Sequence, residues 1–145
     1  LNHIKFELVP AYVSYGLYYI PKDSSNWQYT DPDGFYSDLQ ECNKNNSYRI
    51  KPVIRLMKHW NIEKNYRDMA SFLLEKEIAE GMKYAYISCT SYTDYLKKAF
   101  ETIKYSTNYS RVYTALDHIS KALSYEESNM PYTAQEEIKK VFPGV

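Results

Sequence analysis

Apolar positions recur every second residue at the start of the chain and with a helical period from about residue 31 onward. In residues 4–9, Ile4, Phe6 and Leu8 fall on one face and Lys5, Glu7 and Val9 on the other, which predicts a strand. Pro10 cannot donate to a ladder and is expected to end regular pairing. A second strand is predicted over residues 17–20, after a connection containing Gly16 and before Pro21. A hairpin is marginal alone, and the chain opens at Leu1 in what reads as the middle of a sheet, so further strands are expected upstream. Residues 22–30 read as a polar connection in which Ser24, Ser25 and Asn26 precede Trp27.

From Asp31 the period changes. Asp33 is the expected cap of a first helix burying Phe35, Leu39 and Cys42, and residues 43–47 read as a polar break. The next helix carries Ile50, Val53, Ile54, Met57 and Trp60 on one stripe, with Pro52 tolerable only near its first turn. A third helix is predicted over residues 67–81, with Ala70, Leu73, Leu74 and Ile78 inward. Ser91 and Asp94 form a capping-box pattern ahead of Tyr95, Leu96, Ala99, Phe100 and Ile103. Val112, Leu116, Ile119 and Leu123 define a further helix. A last one is expected to open at Thr133, with Glu136 three residues on, and to bury Ile138, Val141 and Phe142. The predicted fold class is α+β: a short β hairpin over residues 1–30, then a mainly helical lobe of about six helices over residues 31–145.

Composition adds one unusual feature. Tyrosine occurs 17 times, against two tryptophans and five phenylalanines. Tyrosine buries a large ring while keeping a polar tip, so packed helices with wet ends are expected, and a base-stacking surface is the alternative. Eighteen basic residues balance eighteen acidic ones, which argues against a dedicated non-specific nucleic-acid binder but leaves a local basic stripe open. Cys42 and Cys89 lie far apart and outside any zinc spacing, as expected of reduced, packed thiols in a cytoplasmic protein. No apolar run approaches the roughly 20 residues that span a bilayer, so no membrane partner is expected.

Four glycines leave no Gly-rich phosphate loop, and His3, His59 and His118 are isolated. Three patterns could carry chemistry. Glu7 sits among apolar neighbours, where a carboxylate needs a cation or a donor unless it faces water beside Lys5. Lys51, Arg55 and Lys58 fall at i, i+4 and i+7, opposite the apolar stripe of their helix, as a phosphate rail or a solvated face. Ser71 and Glu75 share a helix face one turn apart.

Their order is informative. A "FELVPA" strand, a strand ending in Ile-Pro, then "NWQYTDPDG", "RIKPVIRLMKHWN" and "SFLLE" resemble the polymerase-β-like nucleotidyltransferases. The branch they most resemble is that of the bacterial enzymes related to oligoadenylate synthase and cyclic GMP-AMP synthase. The tail "DHISKALSYEE…YTAQEEIKKVFPG" is similar to that family's ending, so the resemblance spans nearly the whole chain.

The resemblance implies that the first residues belong to a catalytic palm and the rest to a helical nucleotide-binding lobe. Glu7 would be the third metal-binding carboxylate, although the family usually has aspartate there. Lys58 would contact the nucleoside triphosphate, with Ser71 as a further phosphate neighbour, and Arg55, from the basic rail rather than the resemblance, is a further candidate for nucleotide binding. Mg²⁺ or Mn²⁺ would assist phosphoryl transfer. The family's Gly-Ser motif and paired carboxylates would lie upstream of Leu1, in a missing N-terminal part of the same palm, and residues 1–145 alone would be inactive. The implied activity is synthesis of an oligonucleotide second messenger in bacterial antiphage signalling. The alternatives are a nucleotidyltransferase toxin modifying RNA or protein, and a non-catalytic module that binds a nucleotide or a partner.

Overall fold

Three short antiparallel strands come first in the computed structural model, which describes residues 9–144. They are β1 (Tyr12–Ser14), β2 (Leu17–Pro21) and β3 (Trp27–Thr30), in that spatial order. The strand predicted over residues 4–9, and Glu7 with it, falls outside the described residues except for Val9. The second predicted strand is present and takes in Pro21, whose missing N–H is tolerated at a strand end. β1 and β3 were not anticipated. Their order follows from side-chain pairing across the sheet: Tyr12 lies opposite Tyr19, and Tyr19 opposite Tyr29. Tyr12 and Tyr19 stack with ring centroids 5.1 Å apart, and Trp27 meets Tyr12 edge-on at 4.8 Å. Tyr15 and Gly16 both take left-handed φ values, 50° and 77°, which a two-residue hairpin turn requires.

The helix α1 (Pro32–Asn45) starts earlier than expected. Its cap is Asp31, not Asp33: the Asp31 Oδ1 accepts from the Gly34 N–H at 2.8 Å, and Pro32 fills the first position. The helix also runs three residues into the expected polar break. Leu39 and Cys42 are buried as expected, while Phe35 is half-buried. The chain divides into two compact units, one ending at Ser37 and the other starting at Asp38.

The second unit holds α2 (Ile50–Glu63), α3 (Ser71–Gly81), a 3₁₀ turn (Ala85–Ile87), α4 (Tyr92–Ile103), α5 (Tyr109–Glu127) and α6 (Pro131–Val141). The α2 stripe is buried throughout: Ile50, Val53 and Met57 have no exposed surface, and Trp60 is 1 % exposed. Trp60 meets Phe100 of α4 edge-to-face at 5.0 Å, joining two helices at the centre of the unit. α3 begins at Ser71 rather than residue 67, so Ala70 is its exposed cap, and Leu73 faces outward while Leu74 and Ile78 point in. On α5 the fully buried residues are Val112, Ala115, Ile119 and Ala122, with Leu116 and Leu123 half-buried. α6 opens at Pro131, two residues before Thr133, and buries Ala134, Glu137 and Val141; Ile138 is half-buried.

Asn46, fully buried, is a polar hub beyond the end of α1. Its Nδ2 donates to the carbonyls of Cys42 at 2.8 Å and of Met82 at 3.3 Å, while its Oδ1 accepts from the Tyr95 hydroxyl at 3.2 Å. Both cysteines are free and buried, and burial raises the Cys42 thiol above its ordinary range.

The capping box of α4 is formed as its sequence predicts. Ser91 Oγ accepts from the Asp94 N–H at 3.1 Å, and the Asp94 carboxylate accepts from the Ser91 and Thr90 N–H groups at 2.8 and 2.9 Å. The backbone bond from Ser91 leads in holding the Asp94 carboxyl well below the usual carboxylate range. Such a group adds stability above its unfolded pKa, near 4, and loses it as the pH falls through the folded value. Ser91→Ala is expected to lower the unfolding free energy by about 1 kcal/mol. A urea melt at neutral pH checks this, and an unchanged midpoint would show that the box adds nothing.

The tyrosines are not where their helical spacing pointed. Fourteen of the 17 are exposed and only Tyr95 is buried. Tyr105, Tyr109 and Tyr113 form an exposed stack along the start of α5, with successive centroids 6.4 Å apart. No helix among the described residues is long and apolar enough to cross a membrane.

Candidate functional site

The burial of Val53, Ile54, Met57 and Trp60 fixes the rotation of α2 and turns Lys58 toward the start of α3. There a cavity of about 390 Å³ is lined by Lys58, Asn61, Arg67 and Ser71, with Ile62 and Met69 as apolar wall. Two of the residues singled out by sequence, Lys58 and Ser71, thus meet on one cavity, although 13 positions separate them. The third, Arg55, does not join them. It lines a separate, mostly apolar recess with Pro52, Leu56, His59 and Tyr92. The expected rail of Lys51, Arg55 and Lys58 is therefore divided between different surroundings, and the Lys51 N–H is held by the Asn43 side chain at 3.0 Å.

Lys58 is ion-paired with Glu75, one turn beyond Ser71 on α3. A third of the Lys58 side chain and about a quarter of that of Glu75 remain exposed, 33 % and 23 %. Ser71 is the first residue of α3, and Ala70 before it supplies no side-chain acceptor. No acidic residue occupies the first turn, so the positive end of the helix is not offset there.

The segment joining α2 to α3 is shaped by two asparagines that the sequence reading did not single out. Asn61 Nδ2 donates to the Met69 carbonyl at 2.8 Å, and its backbone carbonyl accepts from the Arg67 N–H at 2.7 Å. Asn65 Nδ2 donates to Asn61 Oδ1 at 2.9 Å and to the Thr107 hydroxyl at 2.7 Å. Asn65 is fully buried, and its Oδ1 accepts no hydrogen bond among the described residues. Asp68 accepts from the Thr107 hydroxyl and the Asn108 N–H, at 2.7 and 3.1 Å, and the Thr107 bond leads in lowering its carboxyl below the usual range. Tyr66 and Arg67 are both left-handed, with φ of 56° and 58°, an uncommon pair for residues with side chains. This backbone carries Arg67 onto the cavity. The available signal was an asparagine pair at i, i+4 beside an apolar stripe, which has many other readings.

The cavity thus offers two cations, a hydroxyl and a helix N-terminus, with one carboxylate competing for the lysine. These groups suit an anion, and phosphate oxygens in particular. Among the described residues no three His, Cys, Asp or Glu side chains converge to hold a metal ion, and Glu7 lies outside those residues. No protein-family model matches this chain, and no curated protein matches it either.

Proposed function

We propose that this chain is the C-terminal, nucleotide-holding part of a nucleotidyltransferase that makes an oligonucleotide second messenger from nucleoside triphosphates. The observation that carries this reading is the meeting of Lys58 and Ser71 on one cavity at the N-terminus of α3. The resemblance names these two residues, from "RLMKHWN" and "SFLLE", as triphosphate neighbours, and nothing in their spacing alone requires them to meet. Lys58 and Arg67 would offset the triphosphate charge, Ser71 would donate to a phosphate oxygen, and the α3 terminus would add its dipole. Glu75 would hold Lys58 extended between turnovers and release it to the ligand. Glu7, outside the described residues, is the residue that the resemblance assigns to a metal ion.

The test is made on the full-length protein with labelled nucleoside triphosphates, with the products resolved chromatographically. A cyclic or linear oligonucleotide is expected from the parent and none from Glu7→Ala, with both melting alike. Triphosphate binding without any product would replace this reading with that of a non-catalytic nucleotide-binding module. Labelling of added RNA or protein instead would favour a modifying enzyme. Failure to bind any triphosphate would overturn the nucleotide reading altogether.

A further inference from the structure

A second cavity, of about 290 Å³, collects positive charge from three separate elements. Lys64 reaches it from the C-cap of α2, Arg111 from the first turn of α5 and Lys140 from the last turn of α6. On α5, Ser110 and Thr114 add hydroxyls and His118 an imidazole, while Trp60, Ala115 and Val141 supply the apolar lining. Among the described residues no carboxylate lines the space itself. Two carboxylates stand behind it: Glu137, on α6, holds His118 Nδ1 at 2.6 Å and the Lys140 ammonium, and Asp68 interacts electrostatically with Arg111. In a chain of zero net charge, three basic side chains lining one concave surface, against two carboxylates behind it, do not follow from composition.

Two of the cations have capacity to spare. Lys64 makes no ion pair among the described residues, and the Arg111 guanidinium spends one N–H on the Asn65 carbonyl at 3.0 Å. The Tyr66 ring lies 4.6 Å from that guanidinium and steadies it. The volume is at the small end of ligand pockets, which run from about 300 to 1,000 Å³. Cations approaching from three directions match a tetrahedral oxyanion better than a planar carboxylate, and the two hydroxyls can donate to its remaining oxygens.

We propose that this cavity is a second binding site, built for a small phosphate-monoester dianion. It is linked to the first cavity by a short chain of hydrogen bonds. Arg111 holds the Asn65 carbonyl, Asn65 holds Asn61 at 2.9 Å, and Asn61 holds both ends of the left-handed turn that presents Arg67. A ligand that draws Arg111 toward itself acts on the same turn that shapes the other cavity. Any effect of one ligand on the other's affinity must be reciprocal. The coupling rests on the proposed nucleotide role of the first cavity; the binding itself does not.

The test uses the full-length protein without nucleotide, titrated calorimetrically with glycerol 3-phosphate and, separately, with succinate. Saturable binding of one glycerol 3-phosphate is expected. Lys64→Ala and Lys140→Ala should each weaken it about tenfold, as loss of a charged hydrogen bond does, and Arg55→Ala, on its separate recess, should leave it unchanged. Absence of saturation below about 10 mM, a dissociation constant corresponding to less than 3 kcal/mol of binding, overturns the site. Equal affinity in the parent and both lysine variants does so too, as does loss of binding in Lys58→Ala, which would put the phosphate in the first cavity. Succinate binding as tightly as glycerol 3-phosphate would overturn the phosphate class. Repeating the titration with a non-hydrolysable triphosphate present reads the coupling: a shifted affinity supports it, and an unshifted one removes it while the site stands.

Discussion

Trp60→Ala is expected to lower the unfolding free energy by about 3–5 kcal/mol, the range for truncating a buried large aromatic. Whole domains are stable by only about 5–15 kcal/mol, so this one change would consume much of what holds the helical unit together. The indole is 1 % exposed and meets Phe100, itself fully buried, edge-to-face at 5.0 Å. Phe100 in turn lies 6.5 Å from Phe142 beyond the end of α6, so the cavity left behind would open between three helices that cannot all close on it. Trp27, the other tryptophan, is the internal comparison. It is 47 % exposed on the three-stranded sheet and touches Tyr12 edge-on, so Trp27→Ala should cost about 1 kcal/mol or less. Urea unfolding followed by far-ultraviolet circular dichroism compares the two. Equal, small losses would mean that Trp60 is not the centre of the core.

The contrast between these tryptophans shows where the sequence was legible. Trp60 belongs to a stripe of five apolar residues at helical spacing, and only burial on one side of a helix explains such a run; the structure buries all five. The α4 capping box was equally readable because its signals are local: Ser91 and Asp94 satisfy each other within one turn. Trp27 sits in a segment read as polar, because its strand is defined by cross-strand partners that no local window contains. The helix starts at Pro32 and Pro131 were each placed late, since a conventional side-chain cap was preferred to the proline that opens both helices.

The tyrosines failed for a different reason. Rings at i and i+4 mark either a buried or an exposed stripe, and Tyr109 and Tyr113 form the exposed kind. The candidate site was half legible. Lys58 and Ser71 were singled out by helical spacing, and the resemblance to a family proposed their common role, but Asn61, Asn65 and Arg67 were not singled out. Their roles arise from a left-handed turn and a buried amide ladder, and the sequence around them carries no glycine or proline to announce the turn.

Lys58→Ala is expected to weaken binding of a non-hydrolysable nucleoside triphosphate to the full-length protein about ten- to hundredfold. The lysine is held within reach of Ser71 by a helix whose rotation burial has fixed, so its removal leaves no other ammonium in that cavity among the described residues. A hydrogen bond to a charged group contributes about 1.5–3 kcal/mol, which gives that range of affinities. Glu75 supplies the opposing effect. Its ion pair with Lys58, partly exposed on both sides, contributes about 1 kcal/mol or less, so a triphosphate can displace it. Glu75→Gln removes both that competition and a negative charge beside the ligand, and should tighten binding by up to about fivefold. Both effects should shrink as salt is raised, because screening acts on partly exposed charges. Arg55→Ala, on its separate recess, should bind like the parent. Equal affinities in the parent and Lys58→Ala would return Lys58 to a solvated ion pair. An Arg55→Ala as damaging as Lys58→Ala would place the nucleotide on another face of α2, and the meeting of Lys58 with Ser71 would then have nothing to do with it.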